Sequence, residues 1–328
     1  MNTLQDELRG SGSSIGYRTM WQRLVVEHRL SVKKEFVRKA LRIMDPEGVD
    51  SRMRHRLRRR QYHSEGPNFI WHLDGYDKLK PYGFCIHGCI DGFSRKIMWL
   101  QVGRTNNHPG VIANYFLDCV ESCRATALII RADMGTENVR IAAIQRYLRN
   151  EANDRWSGEK SFLYGKSVSN QRIEAWWGQL RKAASDWWMA HFKDLRDNGL
   201  YCDTNDVHVE CLLFCYMEII EKELEQVARL WNLHRIRPSR NSCSPSGRPY
   251  LLYHHPERKG TVDCKHTVDT DELHIAREMC CDDLPRCFSP EFNDLAELIM
   301  TEEGLQMPKN ANEACNLYLT LIHEIEKI

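Results

Sequence analysis

The sequence predicts an α/β fold in which a mixed five-stranded sheet is flanked by helices. Three observations lead to this prediction. Apolar runs of strand length follow one another closely between residues 68 and 102, which is typical of an antiparallel meander. Helical and strand-like segments then alternate from residue 111 to residue 190. Further helical patterns precede and follow this region, so the sheet is expected to lie in the middle of the chain.

The N-terminal part of the chain is predicted to be helical and basic. Residues 1–15 are polar and rich in Gly and Ser, and we expect a flexible terminus there. Two amphipathic helices follow, the second with Ser31 as a candidate N-cap and Asp45-Pro46 as its end. They indicate a helix-turn-helix-like region over residues 16–64, although any helical hairpin with a solvated basic face has the same pattern. The predicted DNA contacts of this region are Lys33, Lys34 and Arg38.

The net charge of +1 conceals an asymmetry. Residues 18–64 hold fourteen Lys and Arg against five Asp and Glu, whereas residues 257–328 hold seven against sixteen. A basic segment favours a polyanionic partner, and nucleic acid is the commonest one. Six arginines lie between residues 52 and 60. This pattern is typical of a segment that contacts phosphates, of a nuclear localisation signal or of a solvated linker. We predict that Arg58, Arg59 and Arg60 contact nucleic acid.

The central region has the element order of a ribonuclease-H-like fold. Three strands are predicted first, and the Asp91-Gly92 turn follows the second of them. Helix, strand, helix, strand and helix come next, and a long helix covers residues 207–233. This places a core with its trailing helix at residues 65–236. Residues 237–328 are predicted to be an irregular linker and an acidic extension with helical patterns near residues 295–300 and 314–325.

Composition excludes several classes of protein. No secretory signal or membrane span is readable, so we expect an intracellular protein without a membrane partner. The thirteen cysteines form no C-x-x-C pair, which argues against a disulfide framework. A loose set in the acidic extension could bind zinc, but its spacing is poor for that metal. This set comprises Cys264, His266, His274, Cys280, Cys281 and Cys287. No small-molecule cofactor is indicated.

Three carboxylates are placed to converge. Asp74 and Asp133 each end a predicted strand, and Glu174 lies early in the helix after the fifth strand. Catalytic groups gather at the carboxyl edge of a sheet. Three carboxylates there would repel one another unless divalent cations neutralise them, and Mg²⁺ and Mn²⁺ prefer oxygen ligands. Two such ions can support phosphoryl transfer. The helix that carries Glu174 also presents a polar face on which Asn170, Gln171 and Arg181 are predicted to contact nucleic acid.

Four blocks of the sequence resemble the retroviral-type integrase core of transposon-derived proteins, in the DDE transposase superfamily. The blocks are Trp71 to Gly75, Ile90 to Arg95, Arg131 to Asn138 and Ser167 to Trp177. The resemblance covers about residues 65–250. It implies that Asp74, Asp133 and Glu174 form the acidic triad of a DNA strand-transfer enzyme that uses two Mg²⁺ or Mn²⁺ ions. Self-association, and a nuclear location in a eukaryote, follow by analogy.

The sequence also departs from that family's pattern. No zinc-binding arrangement of two histidines and a C-x-x-C precedes the core, and Asp133 and Glu174 are 41 residues apart, which an insertion near residues 153–160 would explain. Three functions therefore stay open. The first is DNA strand transfer, the second is a domesticated DNA-binding protein without chemistry, and the third is a ribonuclease-H-like nuclease. The intact set of carboxylates favours the first.

Overall fold

The computed structural model describes residues 2–9, 16–54, 64–165, 170–238, 244–280 and 288–327. The chain divides into two compact units, Met1–Gln61 and Tyr62–Ile328. Within the described ranges, no helix is both long enough and apolar enough to cross a membrane. The ten cysteines that lie in these ranges are free thiols.

The first unit is helical in its described part. The helices are α1 (Asn2–Arg9), α2 (Tyr17–Val26), α3 (Lys34–Met44) and α4 (Pro46–Arg54). Leu4 of α1, Met20 and Leu24 of α2, and Val37 and Leu41 of α3 form one buried cluster. The hydrophobic stripes of α2 and α3 therefore face each other, as the spacing of their apolar residues predicts.

The N-terminus differs from the predicted flexible segment, because residues 2–9 form α1. Leu4 is buried, and the Glu7 carboxylate accepts hydrogen bonds from Arg23 at 2.9 Å and His28 at 2.7 Å. One leucine and one carboxylate thus anchor a short helix whose composition alone does not favour it. The prediction of Ser31 as an N-cap is wrong, since α3 begins after Lys33. Its predicted end at Asp45-Pro46 is confirmed.

The second unit is built around the predicted mixed five-stranded sheet. The strands stand in the order β3-β2-β1-β5-β6. β1 pairs antiparallel with β2 and β2 antiparallel with β3, whereas β5 is parallel to β1 and β6 is parallel to β5. The strand bounds are β1 (Ile70–Tyr76), β2 (Cys85–Asp91), β3 (Ile97–Gly103), β5 (Ile129–Ala132) and β6 (Phe162–Tyr164), and a separate β4 covers Ala125–Thr126.

Helices cover both faces of the sheet because successive strand residues point to opposite sides. On one face, α5 (Pro109–Cys123) and α6 (Val139–Leu148) pack in a core that includes Trp71 and Leu73 of β1. On the other face, Ile86 and Ile90 of β2 share a core with α7 (Gln171–Leu180), α8 (Asp186–Asp197) and α9 (Asp206–Leu233). The carboxylate-bearing helix α7 therefore lies directly on the sheet.

The helix predicted after the fifth strand is interrupted. α7 ends at Leu180, a π-helical turn covers Arg181–Ser185, and α8 follows without a break. Such a turn inserts an extra residue and changes the direction in which later side chains point. Trp188 of α8 thereby packs against Phe192 and Tyr216, with ring centroids 5.6 and 6.0 Å away.

The acidic extension is an integral part of the second unit. α12 (Pro290–Glu302) and α13 (Ala311–Ile325) pack on α9, which confirms the two helical patterns predicted there. β7 (His266–Thr267) pairs with β4, and α11 (Thr270–Cys280) contributes Leu273 and Ala276 to the core beneath α5. The segment predicted to be irregular contains the short helix α10 (Pro249–His254).

The packing of α13 gives a stability prediction. Leu321→Ala should lower the free energy of unfolding by about 3 kcal/mol, because the side chain is fully buried and its removal leaves a cavity. Leu298→Ala on α12 is the matched control, since Leu298 is 56% exposed and should cost well under about 1 kcal/mol. Urea unfolding followed by circular dichroism measures both. Equal decreases in the free energy of unfolding of the two variants would contradict the assignment of α13 to the core.

Candidate active site

Asp74 and Asp133 lie side by side at the carboxyl edge of two parallel strands. The register of β1 and β5 pairs His72 with Arg131. Continued by two residues, it places Asp74 level with Asp133. Asp74 is still within β1, where it stands opposite Gly88 of β2, and Asp133 directly follows β5. The sheet thus brings together the two carboxylates that the sequence predicts at strand ends.

Trp177 of α7 fixes the Asp74 carboxylate. Its indole Nε1 donates a hydrogen bond to Asp74 Oδ2 at 3.0 Å. The ring lies on the sheet at Gly88, where a Cβ atom would come within 2.8 Å of Trp177 Cη2. Tyr76 flanks the same ring at a centroid distance of 5.0 Å. The sequence predicts neither this positioning role of Trp177 nor that of Gly88.

The start of α7 is held to β1 by a buried amide. Asn170 Oδ1 lies 2.7 Å from His72 Nδ1, and Asn170 Nδ2 donates to the Leu73 carbonyl at 2.7 Å. Burial lowers the pKa of His72 to about 3, so the imidazole is neutral and donates from Nδ1 to the amide oxygen. Asn170 is only 1% exposed. Its predicted contact with nucleic acid is therefore corrected: the side chain anchors the helix.

Glu174 projects from the first turn of α7, on the exposed side of the helix. The pKa of Asp74 is raised to about 7, mainly by burial and in addition by the negative charges of Glu174 and Asp133, although the Trp177 hydrogen bond opposes the rise. Burial also raises the pKa of Glu174, with a further contribution from Asp133. The three carboxylates thus lie close enough to repel one another.

The three carboxylates are not gathered into one ligand set. Among the described residues, no three His, Cys, Asp or Glu side chains are grouped closely enough to hold a metal ion. Asp133 Oδ1 instead accepts from the backbone N–H of Gly135 at 3.3 Å and from Asn138 Nδ2 at 3.2 Å. The donor chemistry suits a hard divalent cation, but coordination by all three would require them to move closer together.

Glu137 is a fourth carboxylate near the site, and the sequence analysis missed it. Asn138 Nδ2 donates to Glu137 Oε1 at 2.8 Å as well as to Asp133. Burial raises the pKa of Glu137, and the charge of Asp133 adds to this effect. Its carboxylate occupies the space beside Gly135, where a Cβ atom would lie 2.0 Å from Glu137 Oε1. In the sequence, Gly135 is the available indication of Glu137, because a residue without a side chain leaves room for the neighbouring carboxylate.

The remaining predicted nucleic-acid contacts fall in separate places. Gln171 is exposed on the side of α7 that carries Glu174, and Arg181, the exposed first residue of the π-helical turn, donates from Nε to Asp186 at 2.7 Å. In the first unit, Lys33 is exposed, Lys34 lies 4.2 Å from the centre of the Trp21 ring, and Arg38 forms an ion pair with Glu35. Arg58, Arg59 and Arg60 lie outside the described residues.

Comparison with protein families agrees with this architecture. The family described as Integrase core domain matches residues 61–264, which is more than half of the chain. The chain belongs to the integrase core domain family. The match confirms the predicted retroviral-type integrase core and ribonuclease-H-like fold, and it indicates the polynucleotidyl transferase superfamily. A comparison with curated proteins gives no match.

The contact at Gly88 predicts opposite effects for two glycine substitutions. Gly88→Ala should lower the free energy of unfolding by about 1–3 kcal/mol, because its methyl group must displace the buried Trp177 ring. Gly178→Ala on α7 meets open space and should raise stability by about 0.5–1 kcal/mol, because alanine favours a helix. Denaturant unfolding checks both, and a Gly88→Ala variant as stable as the wild type would refute the contact with Trp177.

The raised pKa of Asp74 predicts how stability depends on pH without divalent metal. Between about pH 4 and pH 7 the folded chain retains a proton that the unfolded chain has lost, so stability falls as pH rises through this window. Asp74→Asn should remove this part of the decline. Urea midpoints of both proteins, measured in a metal chelator from pH 4 to pH 8, test this. Parallel curves would show that the Asp74 pKa is not raised.

Proposed function

We propose that this chain is a metal-dependent DNA strand-transfer enzyme in which Asp74, Asp133 and Glu174 are the metal-binding carboxylates. One observation carries the proposal. Two adjacent parallel strands and the helix packed across them deliver three carboxylates whose charges act on one another at a single sheet edge. Membership of the integrase core domain family supports the same chemistry.

Each carboxylate has a distinct role in the proposed site. The hydrogen bond from Trp177 to Oδ2 fixes the orientation of the Asp74 carboxylate. The direction of its other oxygen, Oδ1, is therefore fixed as well. Asp133 is pre-oriented by Gly135 and Asn138, and Glu174 is the most exposed of the three. Two Mg²⁺ or Mn²⁺ ions, when bound, would supply positive charge at the attacking and leaving oxygens of phosphoryl transfer.

The exposed face of α7 is the proposed approach for DNA. Gln171, Glu174 and Gly178 are exposed along it, and Arg181 is exposed directly after its end. Gly178 has no side chain and meets open space, so a phosphodiester backbone can come close to the helix there. Gln171 and Arg181 would donate hydrogen bonds to phosphate oxygens on either side of Glu174.

One observation favours a second candidate, a DNA-binding protein that retains the fold without its chemistry. The described carboxylates are not gathered into a metal-binding group, so coordination requires rearrangement. Binding energy from DNA or from the cations themselves would have to drive that movement. The two candidates differ in whether a divalent cation binds at these carboxylates and whether DNA is cleaved.

The deciding experiment uses supercoiled plasmid with Mg²⁺ or Mn²⁺. We expect metal-dependent nicking and joining by the full chain, and loss of both in Asp133→Asn and Glu174→Gln, with DNA affinity retained because neither carboxylate binds phosphate directly. Glu225→Gln, an exposed carboxylate change on α9, is the matched control and should leave activity unchanged.

Two other outcomes separate the alternatives. Nicking without joining would indicate a nuclease, because water and not a DNA 3′-hydroxyl would then be the nucleophile. No cleavage, together with no rise in thermal stability on adding Mn²⁺ to the wild type, would favour the DNA-binding protein. We also propose self-association by analogy with other strand-transfer proteins, and sedimentation velocity with and without DNA would measure it.

A further inference from the structure

A cluster of cations lies on the second unit, outside the carboxylate site. Between His234 and Gly260, six Lys and Arg occur with a single Glu. Four of these cations line a cavity of about 270 Å³ formed by the chain after α9 and by α10: Arg235, Arg248, Arg258 and Lys259. The charge asymmetry of the sequence points to residues 18–64 and not to this surface.

The four cations have no internal charge partner among the described carboxylates. All four are exposed, and none forms an ion pair within the part of the chain that the structure describes. The nearest acidic residue in sequence, Glu257, is already paired with His255 at 3.2 Å. Within the described ranges, no carboxylate is therefore ion-paired with any of the four cations.

A backbone bridge joins the two chain segments that carry Arg235 and Arg248. Ile236 and Gly247 form an antiparallel bridge, with N–H to O distances of 2.9 and 3.1 Å in the two directions. Arg235 and Arg248 directly flank this bridged pair in the sequence, and both line the cavity. Gly247 has a φ of 147°, which restricts this position to glycine. Like charges held on one concave surface repel each other, and a bound anion would relieve that repulsion.

Two further arginines donate hydrogen bonds to the segment that precedes Arg248. Arg172, the second residue of α7, donates to Ser244 Oγ, and Arg95 donates to the Pro245 carbonyl. Burial, followed by the charge of Arg172, lowers the pKa of Arg95 to about 10. The segment before Arg248 is thus hydrogen-bonded to α7, the helix that carries Glu174. The two arginines that bind this segment add positive charge next to it.

We propose that this cavity binds phosphate groups of the DNA backbone and holds the duplex against the second unit. The inference rests on the proposed function, since it takes DNA as the substrate. A set of exposed cations without internal partners, spread over one concave surface, matches the repeating charge of a phosphodiester backbone and carries no base-reading chemistry. Binding there is expected to be independent of DNA sequence.

The test is a salt titration of DNA binding by the full chain, without divalent metal. Arg235→Gln/Arg248→Gln should lower the magnitude of the slope of log affinity against log salt by about 2, because each lost phosphate contact removes about 0.9. Lys193→Gln/Lys222→Gln removes the same charge from α8 and α9, outside the cavity, and should leave the slope unchanged. A fluorescent duplex of arbitrary sequence is the probe.

A second readout separates loss of binding from loss of folding. The double arginine variant should unfold at the same temperature as the wild type or higher, because two of the four like charges that line the cavity are removed. An unchanged salt slope in a folded variant would overturn the inference, whatever the plasmid assay shows. A reduced slope with no cleavage by the wild type would sustain the cavity as a DNA site while the proposed strand transfer fails.

Discussion

The seating of α7 across the sheet is the constraint on which the rest of the site depends. Two buried polar contacts fix it: Asn170 binds β1 at the start of the helix, and Trp177 binds Asp74 two turns later. Both contacts cross the same face of β1, and Gly88 of β2 provides the space for the indole ring. Unmade hydrogen bonds in such a buried position are costly, so the helix has one favourable position. That position determines where Glu174 stands relative to the two aspartates.

Much of this arrangement was readable in the sequence. Apolar residues recur at every second position in the predicted strands and about every 3.6 positions in the predicted helices. The structure confirms the three antiparallel strands, the alternating helices and strands that follow, and the long helix α9. Parallel pairing of β1 and β5 then brings Asp74 to Asp133, because strand ends meet at one edge. The proximity of Glu174 follows from the same topology.

Other features depend on contacts between distant residues and leave no local pattern. Asn170 looks like a surface residue at a helix start, and only its partners at residues 72 and 73 show that it is buried. The π-helical turn is invisible because its residues suit an ordinary helix. The cations near residue 248 are dispersed in the sequence, and two of them, Arg258 and Lys259, lie within the acidic segment 257–328. Their common surface arises from the bridge between Ile236 and Gly247.

The packing of α13 on α9 has a consequence for the order of events during synthesis. About 80 residues separate the end of α9 from the start of α13, which at ordinary elongation rates corresponds to roughly 4–16 s on the ribosome. During that interval, α9 lacks the helix that packs on it in the folded chain. The apolar side of α9 that α13 covers is then open, and transiently exposed apolar surface of this kind makes an incompletely folded chain prone to aggregation.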